Sequence, residues 1–299
     1  MWFKNLFVYQ LKQWNETAES LEEKLAANAL QPCGGGDLQT RGWVEPKAEG
    51  AGFVHHTEGQ LLIALGLEKK LLPGTVVTQF AKARAAEIEE REGYKPGRKQ
   101  MKEIKEQVTD ELLPRAFAIR SRIHAWVNTA DGWLVVDAGS PAKADELVGA
   151  LIKHVPGVQP VPFKTQLSPM VAMTTWLAEQ DCPPPFTIDQ DCELKGRGDQ
   201  AATVRYVKHA LEAAEVSKHI EGGKDVTKLA LTWADRVSFV LQENLQIKRL
   251  AALDVLKEQA DSDPDADAFD TDFALMTGEL RKLVPALIKA LGGPLKNPV

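Results

Sequence analysis

Residues 224–250, KDVTKLALTWADRVSFVLQENLQIKRL, constrain the fold most, because their apolar residues recur at every second position in three successive runs. Thr227, Leu229, Leu231 and Trp233 fall on one side of the first run and Lys228, Ala230 and Thr232 on the other. A period of two belongs to a strand with one buried face, since successive side chains point to opposite sides of the pleat. Val237, Phe239 and Leu241 continue the apolar side in the second run, as do Leu245 and Ile247 in the third. Polar breaks at Ala234-Asp235 and Gln242-Glu243-Asn244 suit tight reversals, so the segment reads as an antiparallel meander. Its opposite face collects Lys228, Arg236 and Lys248, spaced cations that fit an anionic partner.

The formal net charge of −6 argues against nucleic acid only until the charges are located. Between Asp254 and Glu279 there are nine acidic residues and one base, Lys257, so this segment carries −8 and the remainder +2. Binding responds to local potential, and an acidic chain with segregated charge can still present a basic surface.

The chain has 299 residues, 44% of them hydrophobic and 26% charged, enough for two or more lobes with cores of their own. The opening MWFKNLFVYQL is apolar but short and interrupted by Lys4, so it reads as a buried strand and not as a signal peptide or membrane span. Cys33, Cys182 and Cys192 form no C-x-x-C pair and leave an odd thiol, which fits a reducing cytoplasm.

The expected class is mixed α/β with antiparallel sheets. A helix follows Asn15 as its cap, with Ala18, Leu21 and Leu25 on one face; residues 52–67 read as a hairpin broken at Thr57-Glu58-Gly59. After Pro73-Gly74 the period turns helical. Val76, Phe80, Ala83 and Ile88 mark one helix and Met101, Ile104, Val108 and Leu112 another, joined at residues 93–97, which gives a projecting αα-hairpin over 75–117. Residues 1–74 and 118–165 form the expected first lobe and 166–299 the second, with a break near 160–185. Arg98, Lys102 and Lys105 share one face of the second helix, among Glu103, Glu106 and Asp110. Arg120, Arg122 and His124 alternate with apolar residues in the strand that follows Pro114.

Catalytic patterns are absent from the sequence. Residues 33–37 and 222–225 lack the full set of a phosphate-binding P-loop, and adjacent His55-His56 point to opposite sides of a strand. The run from Asp261 to Asp272 lacks the glycine and the closing glutamate of a calcium loop and reads as a solvated acidic linker. No metal or organic cofactor is expected.

Several longer stretches, MWFKNLFVYQL, LLPRAF at 112–117, HIEGGKDVTKLALTW at 219–233, IKRL at 247–250 and DFALMTGEL at 272–280, resemble the recombination-associated RdgC family over nearly the whole chain. The resemblance implies a homodimeric ring of curved subunits that encircles double-stranded DNA without reading sequence and restrains RecA-driven strand exchange, with cytoplasmic, nucleoid-associated location. It implies that Phe117 closes the ring as a gate beside Arg115, and that Lys208 faces the hole. On position alone Phe117 reads as a core residue after a helix-breaking proline. The candidate DNA contacts are Arg98, Lys102, Arg115, Arg120, Arg122, Lys208, Lys224, Lys228, Arg236 and Lys248. Two rival readings are a metal-dependent nuclease using Asp265, Asp267 and Asp270, and a protein-interaction module that docks its acidic segment.

Overall fold

The computed structural model describes residues 1–198, 202–260 and 267–295. In chain order the elements are β1 (Leu6–Leu11), α1 (Ala18–Ala26), β2 (Gln39–Val44), β3 (His55–Thr57) and β4 (Gln60–Lys70). Next come α2 (Gly74–Glu92), α3 (Arg98–Leu112), a short 3-10 turn (Leu113–Arg115), β5 (Ala118–Asn128) and β6 (Trp133–Asp137). They are followed by α4 (Pro141–His154), β7 (Pro160–Pro162), α5 (Pro169–Glu179), β8 (Phe186–Gly196), β9 (Thr203–Tyr206) and α6 (Ala213–Glu221). The chain closes with β10 (Lys224–Trp233), β11 (Val237–Gln242), β12 (Ile247–Ala252), α7 (Asp254–Ala260) and α8 (Ala268–Ala290). The pairings of β1 with β6, β7 and β12, of β2 and β3 with β4, of β5 with β6, of β8 with β9 and β10, and of β11 with β10 and β12 are antiparallel.

The chain falls into two compact units, one of Met1–Ala18, His55–Leu62 and His124–Val299, the other of Glu19–Val54 and Ile63–Ile123. Residues 160–185, the expected lobe break, lie inside the first.

In the larger unit the strands run β6-β1-β12-β11-β10-β8-β9, with β7 also on β1. The meander β10-β11-β12 forms as its periodicity dictates, with Leu229 opposite Leu241 and Leu231 opposite Phe239. Its first reversal is closed by the Arg236 N–H donating to the Trp233 carbonyl across Ala234 and Asp235, both with positive φ. One face of this sheet is dry: Leu229, Leu231, Phe239 and Leu241 join Met173 and Leu177 of α5 and Phe273, Met276, Leu280 and Leu283 of α8 in one apolar cluster. Burying each such side chain contributes about 1.5–3 kcal/mol, which fixes the strand register. α8 starts where Asp267 accepts from the Phe269 and Asp270 N–H groups.

Three register shifts break the alternation. The pairing of β10 with β8 shifts between Val226 and Lys228 and again between Leu229 and Leu231, and that of β11 with β12 between Ser238 and Val240, where Arg249 has φ 52°. A bulge re-aims the side chains that follow it, so the polar face of the meander is not what strict alternation gives.

In the smaller unit β2 pairs with β4 from Gln39 opposite Lys69 to Val44 opposite Ala64. Gly42 lies 2.4 Å, measured from where a Cβ would sit, from the Leu30 backbone, so only glycine lets that segment cross β2. α2 and α3 pack through Val77 and Ala81 against Ile104 and Val108. The α3 stripe is the expected one. On α2 it is displaced by one position: Val77 and Ala81 turn inward, and Phe80 is half exposed. No helix among the described residues is long and apolar enough to cross a membrane.

Candidate nucleic-acid interface

The face of the larger unit's sheet opposite its apolar cluster carries charge. β8 presents Asp189, Asp191 and Glu193 at alternate positions, while Phe186, Cys192 and Leu194 turn into the core. Arg205 of β9, Lys228 of β10 and Lys248 and Arg249 of β12 line one cleft of about 380 Å³ with Asp191, Glu193 and Tyr206. The bulge at Arg249 is what brings two consecutive residues, Lys248 and Arg249, to the same cleft.

The cations of this cleft are held, for the most part, by carboxylates. Glu193 accepts from Arg205 Nε at 2.5 Å, Lys228 Nζ at 3.0 Å and Thr227 Oγ1 at 3.0 Å. Thr227 therefore belongs to the polar side, because the β10 bulge sends it and Lys228 to one carboxylate. Desolvation pushes the Glu193 carboxyl up, but the hydrogen bonds from Lys228, Arg205 and Thr227 outweigh it and leave the group below its ordinary range. Asp191 is likewise lowered, first by the Lys208 backbone N–H at 2.7 Å and then by Arg249, whose guanidinium lies 2.8 Å away. Lys248 Nζ donates to the Gly139 carbonyl at 3.3 Å. Asp189 is raised by desolvation and accepts from the Thr232 hydroxyl at 3.0 Å.

Lys208 is exposed, with φ 52°, and follows Tyr206, whose ring lies 5.7 Å from that of His209. It lines a second cleft on this face together with Asp189, Asp191 and Arg249.

Two predicted contacts do not join this face. Arg236 makes a two-pronged pair with the buried Glu279 of α8, Nε and an Nη each 2.9 Å from a carboxylate oxygen, on the side of the apolar cluster. Its grouping with Lys228 and Lys248 is corrected: it sits in the reversal, where strand alternation no longer applies, and the bond to Glu279 raises its pKa. Lys224 shares its side of β10 with Val226, which is buried in the core, so the bulge separates it from Lys228. Arg205, Arg249 and the β8 carboxylates are functional candidates that the sequence reading passed over. The alternation of Asp189, Asp191 and Glu193 in a strand-like run was the available signal.

In the smaller unit Arg98 is exposed at the start of α3, and Lys102 stands 3.7 Å from Glu106 one turn on, as a solvated helix face requires. Arg120 Nε lies 2.6 Å from Glu68, whose carboxyl is held low first by the Cys33 backbone N–H and then by Arg120. Arg122 donates to the Glu45 carbonyl, and both arginines line a cleft of about 320 Å³. Arg115 is exposed. Phe117 is 85% exposed, which overturns the reading of it as a core residue; its carbonyl accepts from the Leu71 N–H. The carboxylates of the nuclease alternative are dispersed in role. Asp265 lies outside the described residues, Asp267 caps α8, and Asp270 is 3.4 Å from His55 Nε2. Among the described residues no group of three or more His, Cys, Asp or Glu side chains is placed to hold a metal ion.

A family model described as "Putative exonuclease, RdgC" matches residues 1–294. The chain is 53% identical over 296 residues to the recombination-associated protein RdgC of Herminiimonas arsenicoxydans, covering 98% of each chain. It is 52% identical over 300 residues to the protein of the same name from Janthinobacterium sp. (strain Marseille), covering 99% of this chain and 100% of that one. The Bordetella pertussis protein of that name is 52% identical over 299 residues, covering 98% of this chain and 99% of its own.

Proposed function

This chain belongs to the RdgC family, and from that premise and its charged sheet face we propose that it is a sequence-independent double-stranded-DNA-binding protein. It acts in the cytoplasm on the nucleoid, encircles the duplex as a homodimeric ring and restrains RecA-dependent recombination; it is not an enzyme. The observation that carries the reading is the convergence of Arg205, Lys228, Lys248 and Arg249 from three strands on one cleft. Cations spread over rigid strands match a row of phosphates and give affinity without base readout. In the smaller unit Arg98, Lys102, Arg115, Arg120 and Arg122 extend the set of phosphate contacts, and Phe117 closes the ring. The relatives' name ties them to recombination.

The test is binding of unrelated duplexes of equal length over a salt series, with and without Mg²⁺ or Mn²⁺. Log affinity is expected to fall linearly with log salt, at roughly −0.9 per phosphate neutralised, with little difference between sequences. Salt-independent binding overturns the electrostatic account. The family description favours a second reading, an exonuclease; metal-dependent loss of end-labelled nucleotides would establish it, whereas binding without product supports the ring. Single-particle images of the protein alone then show a closed dimer or refute it.

A further inference from the structure

We infer that Glu193 and Asp191 are internal competitors for the phosphates received by this face, so that DNA contacts form by exchange of Arg205, Lys228 and Arg249 between a carboxylate and a phosphate. The inference rests on the DNA-binding reading above and adds to it the residues that limit affinity. Three of the cleft's cations sit at 2.5, 3.0 and 2.8 Å from these two carboxylates. The carboxylates are the anchored partners: the Glu193 and Asp191 side chains are 12% and 21% exposed, while Arg205 and Arg249 are 67% and 63% exposed. Thr227 Oγ1 and the Lys208 N–H fix the two acids further, from sides where the cations are not.

Two effects oppose each other in such an arrangement. A carboxylate holds a long cation in place, which favours binding, but exposed ion pairs order their partners only weakly. It also presents a full negative charge about 7 Å or less from any phosphate that touches the same cation, well inside the Debye length and on a partly desolvated surface. The repulsion outweighs the pre-orientation. An incoming phosphate therefore meets paired charges and not free ones, and binds less tightly than the number of lysines and arginines implies. In return each cation has an alternative partner at every moment, so that a duplex can move along the face by exchanging one anion for another. Lys248, which donates to the neutral Gly139 carbonyl, stands outside the exchange and acts as a full cation.

The experiment uses the full chain and a linear duplex of about 30 base pairs in a salt titration. Glu193→Gln and Asp191→Asn are each expected to tighten binding by about threefold to tenfold, and to steepen the log–log salt slope by up to about one unit per freed cation. Glu193→Asp, which keeps the charge, is expected to tighten binding less than Glu193→Gln, and Glu179→Gln, an exposed carboxylate of α5 on the apolar side of the sheet, is expected to leave the slope at the parent value. Unchanged or weaker binding by folded Glu193→Gln and Asp191→Asn overturns the inference while the parent's salt-dependent binding leaves the function standing. Loss of the fold in these variants overturns it too, because the carboxylates are then structural struts. A parent protein whose binding ignores salt overturns both.

Discussion

Arg236 and Arg205 belong to the same sheet of the larger unit and both meet a glutamate, but under opposite conditions. Arg236 reaches Glu279 on the apolar side, where the carboxylate is 6% exposed, and both prongs of the guanidinium are used. Arg205 lies 67% exposed above Glu193 and keeps nitrogens free for another anion. The same pair of residue types thus does two jobs, and burial decides between them. In low dielectric the ion pair is obligatory, because either partner alone leaves an uncompensated charge; at the surface it is an exchangeable contact.

The sharpest way to break that comparison is to remove each arginine in turn. Arg236→Ala replaces the two-pronged guanidinium on the buried Glu279 by the more distant Lys282, 3.9 Å away and exposed, and is expected to cost about 3 kcal/mol, read as a fall of roughly six degrees or more in the thermal midpoint. Arg205→Ala is expected to change stability by less than about 1 kcal/mol. Equal effects on the thermal midpoint would show that the two pairs are not distinct.

The second prediction moves the comparison to DNA. Lys248→Ala is expected to reduce the salt slope of duplex binding by about one unit. Lys228→Ala and Arg249→Ala are expected to reduce it by less, because the carboxylate each leaves behind is released to repel. Arg236→Ala, at a temperature where it is folded, should leave the slope alone; a slope reduced by Arg236→Ala as much as by Lys248→Ala would restore Arg236 to the DNA face.

These contrasts also mark what could be read from the sequence. The meander, the β1 strand, the turn at Glu58-Gly59 and the α3 stripe follow from periods of 2 and 3.6, so they were legible. The register shifts were not, because an insertion of a residue or two in a ladder has no periodic signature, and those at Val226/Lys228 and Ser238/Val240 are what re-aimed Thr227 and Arg249. Arg236 was misplaced for a related reason: in the turn its side follows backbone dihedrals and not alternation. Its partner Glu279 is 43 residues away, a long-range pairing that local pattern cannot supply. Phe117 shows the reverse limit, since an aromatic after proline reads as core although the structure leaves it in solvent.

A smaller effect is expected on acidification. Glu193 titrates below its ordinary range in the folded chain, so its contribution is present above the unfolded value of about 4.3 and is lost as pH falls through the folded value. The stability difference between parent and Glu193→Gln, about 0.3–1 kcal/mol at pH 7, should shrink below about pH 4. Urea titrations at both pH values measure it; a difference that grows on acidification contradicts the assignment of charge.

The smallest expected change in stability belongs to Phe117, and it tests the proposed ring most directly. Because the ring of Phe117 is 85% exposed, Phe117→Asp removes little packing within its own unit, and the thermal midpoint is expected to stay within the change typical of surface substitutions, about 0.5 kcal/mol. If Phe117 meets its symmetry mate or a neighbouring pocket across a two-fold interface, the new carboxylate is forced into an apolar contact and opens it. The charged face of the larger unit is untouched, so affinity for a short linear duplex should equal the parent's. What changes is topological retention: release from covalently closed circles should become as fast as release from linear DNA, whereas the parent leaves circles more slowly. A folded variant that holds circles as persistently as the parent places the closure elsewhere, and a parent that leaves both forms at one rate removes the ring itself.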